Sequence, residues 1–139
     1  MLILEKPFSN EEFYPIYTLE DLKNSPNNST LVFAYCDSSL ELYNFCKINS
    51  IAYGVITDSI KEMIFVSGLN AKYIFTDILQ NAKKFQDIAN EYLLDTKVIY
   101  LADTLDEIED AAPLGIDGIK LKEKKWQSLK SHRQTGKSS

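Results

Sequence analysis

The chain has 139 residues, 45% of them hydrophobic and 25% charged, a composition typical of one globular domain and not of a disordered or fibrous protein. No apolar run approaches the roughly 20 residues that span a bilayer, so we expect a soluble, cytoplasmic protein. Residues 1–121 carry a net charge of −10 and residues 122–139 a net charge of +5. Because the acidic body repels phosphates, nucleic acid is expected to bind only weakly and only through the basic tail.

The first 30 residues are interpreted as an N-terminal arm. Within them, MLILEK predicts an additional strand and TLEDLKNS a short helix. The stretch FSNEEFYPIY, with four aromatic residues in ten, predicts either an arm packed over one end of a sheet or a contact in a homodimer.

From Leu31 onward, short runs rich in β-branched and aromatic residues alternate with longer segments whose apolar residues recur every three to four positions. This alternation predicts an α/β fold with mainly parallel strands joined by right-handed crossovers. Because the strands are apolar at both alternating sets of positions, we expect helices on both faces, in one three-layer domain. The core spans residues 31–121 and the basic tail residues 122–139. The five predicted strands are Leu31–Cys36, Ile51–Thr57, Ala71–Thr76, Lys97–Ala102 and Asp117–Leu121.

Four predicted strands are each followed directly by an aspartate and then by a helical segment. These aspartates are Asp37, Asp58, Asp77 and Asp103. One interpretation is structural, because S/T-x-x-E capping boxes satisfy the amides at a helix start. Such boxes are predicted at Ser38, Ser59 and Thr104, with a looser version at Asp77 and Gln80. Helix initiation alone would account for all four positions.

The other interpretation is a binding site, because the carboxyl ends of parallel strands meet at one edge, where such folds bind ligands. The candidate binding residues are Asp37, Asp58, Asp77, Asp103, Thr104 and Lys122. Carboxylates on adjacent strands can share a cation, so Asp37 and Asp77 are the candidate metal ligands, with Mg²⁺ as the ion. Lys120 and Lys122, near the same edge, could form a Schiff base or bind a phosphate, but we expect them to be solvated or to extend their ammonium groups from an apolar surface to water.

Two families share features with the stretch EDAAPLGIDGI. It resembles the late βα units of a (β/α)-barrel, in which a helix ends at a glycine and the next strand opens. With Lys122 seven residues after Gly115, it is also similar to the end of a response-regulator receiver domain, a flavodoxin-like fold. The receiver resemblance implies the strand order 2-1-3-4-5, whereas barrel units imply 1-2-3-4-5.

The receiver resemblance also implies roles for individual residues. Asp37 would belong to the acidic group, Asp77 would accept the phosphoryl group, and Lys122 would be the lysine after the fifth strand. Cys36 stands where the family has its second acid, and Ala102 where it has a hydroxyl, unless Thr104 supplies one. The resemblance therefore implies a degenerate receiver-like domain that binds without phosphorylation.

Several catalytic arrangements are absent from the sequence. The first strand-to-helix turn, YCDSS, contains no glycine, which excludes a dinucleotide fingerprint or a phosphate-binding loop there. His132 is the only histidine and lies in the tail, so no Ser-His or Cys-His pair can form in the body. The sequence favours a domain that binds a partner protein or small ligand at the strand edge. The alternative is a Mg²⁺-dependent enzyme or a receiver-like phospho-acceptor using the edge aspartates.

Overall fold

Seven parallel strands form one sheet in the computed structural model, which describes residues 1–129. The strands are β1 (Leu2–Ile3), β2 (Glu12–Pro15), β3 (Ser29–Ala34), β4 (Tyr53–Ile56), β5 (Tyr73–Thr76), β6 (Lys97–Ala102) and β7 (Gly118–Leu121). Their order across the sheet is β1-β7-β6-β5-β4-β3-β2. The predicted α/β fold with parallel pairing is confirmed, but the sheet has seven strands and not about five.

Both additional strands come from the first 30 residues. The extra strand predicted in MLILEK is β1, which places Leu2 opposite Gly118 of β7. The aromatic-rich stretch contributes β2, the edge strand at the other side of the sheet, where Glu12 lies opposite Ser29 of β3. Pro15 is tolerated in β2 because an edge strand can lose a backbone donor without leaving a neighbour unpaired. The sheet therefore extends beyond the predicted core.

The five strands predicted from Leu31 onward correspond to β3 to β7, with ends within two residues of the observed ones. They follow one another across the sheet in chain order. This is the order 1-2-3-4-5 expected of consecutive barrel units, and not the order 2-1-3-4-5 of a receiver domain. The chain forms a parallel α/β half-barrel.

The connecting helices are α1 (Leu19–Lys23), α2 (Leu40–Ile48), α3 (Ile60–Ser67), α4 (Leu79–Glu91) and α5 (Ile108–Ala111). Their buried side chains share one apolar cluster with the strands, including Tyr43 of α2, Met63 of α3 and Phe85 of α4. Right-handed crossovers between successive neighbours bring each helix to the same side, so α1 to α5 cover the convex face. In the part of the chain that the structure describes, no helix is both long and apolar enough to cross a bilayer.

The concave face is filled largely by the two ends of the chain. A helical segment over residues 124–129, called here the C-terminal segment, places Trp126 and Leu129 in a cluster with strand residues such as Phe75. The Trp126 ring lies 5.1 Å from Phe75 and 5.8 Å from Phe13 of β2, between centroids. Burying an apolar side chain of this size contributes about 1.5–3 kcal/mol. The C-terminal segment is thus part of the packed domain. Helices were expected on both faces of the sheet, and this segment is the helical structure that covers the concave face in the described residues.

Contacts between distant strands show that the sheet is strongly curled. Phe13 of β2 and Lys120 of β7 are separated by five strand spacings, which would be about 24 Å in a flat sheet. The Lys120 ammonium nevertheless lies 5.3 Å from the centre of the Phe13 ring. Lys6, just after β1, also forms a 3.7 Å ion pair with Glu12 of β2, so the two edges of the sheet approach each other.

Glu11 joins three strands near their amino ends. Its carboxylate accepts hydrogen bonds from the hydroxyls of Tyr73 and Thr30, both at 2.5 Å. It also forms an ion pair with the Lys72 ammonium at 2.9 Å. The pKa of Glu11 is lower than its ordinary value of 4.5. Partial burial alone would raise this pKa, but the hydrogen bonds and the Lys72 charge have the larger combined effect. The residue therefore stabilises the curl as a charged carboxylate.

Replacing Glu11 should destabilise the fold in a pH-dependent way. Because the pKa of Glu11 is lower in the folded chain than in the unfolded one, its stabilising contribution is complete above the ordinary value of 4.5 and is lost as the pH falls through the folded value. We expect Glu11→Gln to lower the urea midpoint at pH 7, by an amount that shrinks on titration to pH 3. The matched control is Glu91→Gln, at an exposed position on α4. A deficit that stays constant with pH would contradict this role.

Candidate functional site

The residues that follow the strands meet at one end of the curled sheet. This carboxyl edge comprises residues 4–6, 16–18, 35–39, 57–59, 77–78, 103–104 and 122–123. All six predicted binding residues lie on it: Asp37, Asp58, Asp77, Asp103, Thr104 and Lys122. Their partners differ, so the six do not form one cluster.

Asp58 connects neighbouring elements of the fold. Its Oδ1 accepts hydrogen bonds from the Thr76 hydroxyl at 2.6 Å and from the Asn81 amide at 3.2 Å. These contacts tie the end of β4 to the end of β5 and to α4. The carboxylate therefore has a structural role that the capping interpretation did not include.

Two threonines at the ends of β4 and β5 start the following helical turns in the same way. The Thr57 hydroxyl accepts the Ser59 amide at 3.1 Å and donates to Glu62 at 2.6 Å. The Thr76 hydroxyl likewise accepts the Ile78 amide at 3.1 Å while donating to Asp58. Sequence reasoning missed both hydroxyls, although the repeated Thr-Asp dipeptide in VITD and IFTD was a signal for them.

Two of the predicted helix caps are confirmed. The Ser59 hydroxyl accepts the Glu62 amide at 3.3 Å and caps α3. Thr104 and Glu107 form a capping box, in which the Glu107 carboxylate accepts the Thr104 amide at 3.1 Å and the Asp103 amide at 2.7 Å. Helix initiation thus explains part of the carboxyl edge.

The other two caps were wrongly predicted. Asp37 begins a 3-10 turn, and the Ser38 hydroxyl lies 3.0 Å from the Cys36 sulfur instead of capping α2. Helix α4 follows Ile78, which makes no side-chain cap, so Asp77 does not start it. A 3-10 turn precedes α2, and α4 begins one residue later than predicted, after an isoleucine that has no side-chain acceptor.

The metal site was predicted on the assumption that Asp37 and Asp77 follow adjacent strands, and the strand order does not support that assumption. Asp37 follows β3 and Asp77 follows β5, so β4 lies between them and the strands are about 10 Å apart. Within residues 1–129, no group of three or more His, Cys, Asp and Glu side chains could hold a metal ion. A Mg²⁺ site on these two residues stays a prediction.

Lys122 forms an ion pair with Asp103 and also lines a narrow cleft at the carboxyl edge. Its ammonium lies 3.2 Å from Asp103, which follows the neighbouring strand β6. The cleft, called here the Trp126 cleft, has a volume of about 80 Å³. It is lined by Asp77, Lys122, Glu123, Trp126 and Gln127 together with the apolar Ile56 and Leu101. The curl therefore brings Asp77 and Lys122, which follow different strands, to one cleft.

The indole of Trp126 is a buried donor beside this cleft. The side chain is 3% exposed, and its Nε1 has no hydrogen-bond partner among residues 1–129. Leaving a buried donor unpaired costs about 1–3 kcal/mol, so an acceptor that reached it would bind favourably. The only signal in the sequence was a single tryptophan within an otherwise charged segment.

A second cleft lies against the same helical segment. It has a volume of about 250 Å³ and is called here the Leu129 cleft. Its lining is mainly apolar and includes Ile16, Tyr17, Phe33, Cys36, Ser39 and Leu129. The C-terminal segment therefore contributes to the walls of both clefts.

Lys120 is buried, contrary to the expectation that it is solvated. It is 5% exposed, and its ammonium lies 3.0 Å from Glu5 and 2.9 Å from Glu123. It also lies 5.1 Å from the centre of the Trp126 ring. Its charge is thus paired inside the domain, where it ties β7 to the residues after β1 and to the start of the C-terminal segment.

Glu107 is held by the fold and is not free for chemistry. A hydrogen bond from the Tyr100 hydroxyl at 2.7 Å, followed by the backbone bonds of the capping box, lowers the pKa of Glu107. Burial, together with the neighbouring Glu107 carboxylate, raises the pKa of Tyr100. Neither group is placed to exchange a proton near neutral pH.

Comparison with known proteins does not assign a family. A scan of family models finds no match, and a search of curated proteins finds no significantly similar sequence. The geometry of the carboxyl edge is therefore the basis on which a function can be inferred.

The capping assignments predict a specific pattern of stability changes. Ser59→Ala should lower the free energy of unfolding by about 1 kcal/mol, because it removes the acceptor of the Glu62 amide. Thr104→Ala should also lower it, because it removes the side-chain part of the capping box with Glu107. Ser38→Ala is the matched control, since this hydroxyl caps no helix in the structure, and it should cause a smaller loss. Urea denaturation of the three variants measures this. Equal losses in all three would contradict the assignments.

Proposed function

We propose that the Trp126 cleft binds a small zwitterion, an α-amino acid, and that the domain is a binding module and not an enzyme. The observation that carries the proposal is that Asp77 and Lys122, of opposite charge, line one cleft at the carboxyl edge. Ligands of parallel α/β folds bind at this edge, which supports the location.

Each polar group around the cleft matches one end of such a ligand. The Lys122 ammonium, in the lining of the cleft, can donate to a carboxylate. The carboxylate of Asp77 can accept from an ammonium group, and Ile56 and Leu101 can contact its carbon atoms.

The size of the cleft limits what can enter it. A volume of about 80 Å³ corresponds to roughly two or three water molecules, which suits the head group of an amino acid. Binding requires the ligand carboxylate to compete with Asp103 for Lys122. Asp103 is 75% exposed, so its release to water costs little, because exposed ion pairs contribute about 0–1 kcal/mol.

The observed partners support binding over catalysis. Glu5 and Glu123 pair with Lys120, Asp58 ties β4 to β5, and Glu107 belongs to a capping box. The alternative, a Mg²⁺-dependent enzyme or phospho-acceptor, has less support because β4 separates Asp37 from Asp77. The consecutive strand order likewise supports the barrel resemblance more than the receiver resemblance.

Titration with glycine tests the proposal. Glycine should bind with a dissociation constant on the order of 1 mM, the affinity that a ligand of five heavy atoms can reach. We expect a saturable change in the fluorescence of Trp126, the single tryptophan, and in the backbone amide NMR signals of residues 77 and 122. Acetate and methylammonium, which each carry one of the two charges, should bind at least about 10-fold more weakly.

Three variants locate the binding site. Lys122→Met and Asp77→Asn should each weaken glycine binding by about 10-fold or more, because each removes one charge match. Asp106→Asn, at an exposed position outside the cleft, should leave it unchanged. If glycine does not bind, or if acetate binds as well as glycine, the proposal is wrong.

A further inference from the structure

We propose that the chain forms a homodimer through helix α3, whose exposed face fits a groove on a second copy of the chain. This surface, called here the α3 face, comprises Ile60, Lys61, Ile64 and Phe65. It shares no residue with the lining of the Trp126 cleft, so the homodimer does not depend on the proposed function.

Helix α3 exposes apolar side chains where the neighbouring helix α4 exposes polar ones. Ile60, Ile64 and Phe65 are 43%, 46% and 43% exposed. Residues four apart are neighbours on a helix surface, so these three side chains form one continuous apolar patch. Single exposed apolar side chains are common, whereas contiguous groups of them mark interaction sites. The exposed positions of α4, by contrast, are Gln80, Lys84, Asp87, Asn90 and Glu91.

A groove between α2 and α3 lies directly beside the α3 face. It has a volume of about 410 Å³ and is lined by Leu40, Glu41, Asn44, Phe65 and Leu69. Phe65 belongs to both features, so the exposed row of Ile60 and Ile64 and the groove form one continuous surface. A ridge and a groove side by side can pair with their own copy about a twofold axis, because the ridge of each copy enters the groove of the other. This geometry favours a second copy of the chain as the occupant.

The ridge and the groove also carry opposite charges. Lys61 lies on the α3 face, with its ammonium 5.9 Å from the centre of the Phe65 ring, and Glu41 lines the groove. Within residues 1–129, neither Lys61 nor Glu41 forms an ion pair. With the ridge of one copy in the groove of the other, Lys61 of each copy approaches Glu41 of its neighbour, and the twofold axis makes this pair twice.

Sedimentation equilibrium of the full-length chain tests the homodimer. Three half-exposed apolar side chains and one groove in each copy make a small interface, and small interfaces are at the weak end of the range. We expect a dissociation constant on the order of 10 µM, with the mass rising toward twice 15.9 kDa as the concentration is raised from about 1 to 200 µM. A chain that stays monomeric throughout this range would overturn the proposal.

A substitution on the α3 face locates the interface. Ile64→Lys places a charge at the centre of the apolar patch and should weaken dimerisation at least about 10-fold. The matched control is Leu93→Lys, at a residue that is 86% exposed just after α4, and it should dimerise like the unchanged chain. Both positions are exposed, so circular dichroism should show both variants folded. Equal dimerisation of Ile64→Lys and the control would overturn the α3 face as the interface.

A charge exchange tests how the two copies pair. Lys61→Glu and Glu41→Lys should each weaken dimerisation by about 5-fold or more, because each places like charges together twice in the interface. The double variant Lys61→Glu with Glu41→Lys should restore the affinity of the unchanged chain. Dimerisation that is indifferent to the single changes, or that the double change does not restore, would contradict the entry of each α3 face into the groove of the other copy.

Discussion

The fold depends on filling the concave face of a strongly curled parallel sheet. Right-handed crossovers between successive strands place α1 to α5 on the convex side, so the connecting helices cannot cover the inner face. Phe13 of the edge strand β2 and Trp126 of the C-terminal segment supply the missing packing, with their ring centres 5.8 Å apart. The two ends of the chain thereby stabilise a sheet whose central strands come from its middle.

Ion pairs of Lys120 also hold the two ends of the chain against the sheet. Lys120 reaches from β7 toward Phe13 and Trp126 and is neutralised by Glu5 and Glu123. An unpaired ammonium at 5% exposure would be strongly destabilising, so burial of the lysine requires both carboxylates to be in place. The position of the C-terminal segment is consequently specified by electrostatics as well as by apolar packing.

The sequence predicted those parts of the fold that local patterns encode. The apolar run Lys97–Ala102 was identified with its observed ends, because a fully buried central strand has a continuous apolar signal. The edge strand β2 was not identified, because its pairing depends on β3 and its own residues include Glu12 and Pro15. The cap at Ser59 followed from a short motif, whereas the Trp126 cleft depends on curl and on contacts between residues far apart in the chain.

Strand order also decides what the acidic residues at the carboxyl edge can do together. Consecutive order places β4 between Asp37 and Asp77 but makes β6 and β7 neighbours, which brings Lys122 to Asp103. The curl then brings Asp77 and Lys122 to one cleft, although their strands are not adjacent. Four similar strand endings in the sequence thus acquire different roles, since their partners are set by topology and not by the local motif.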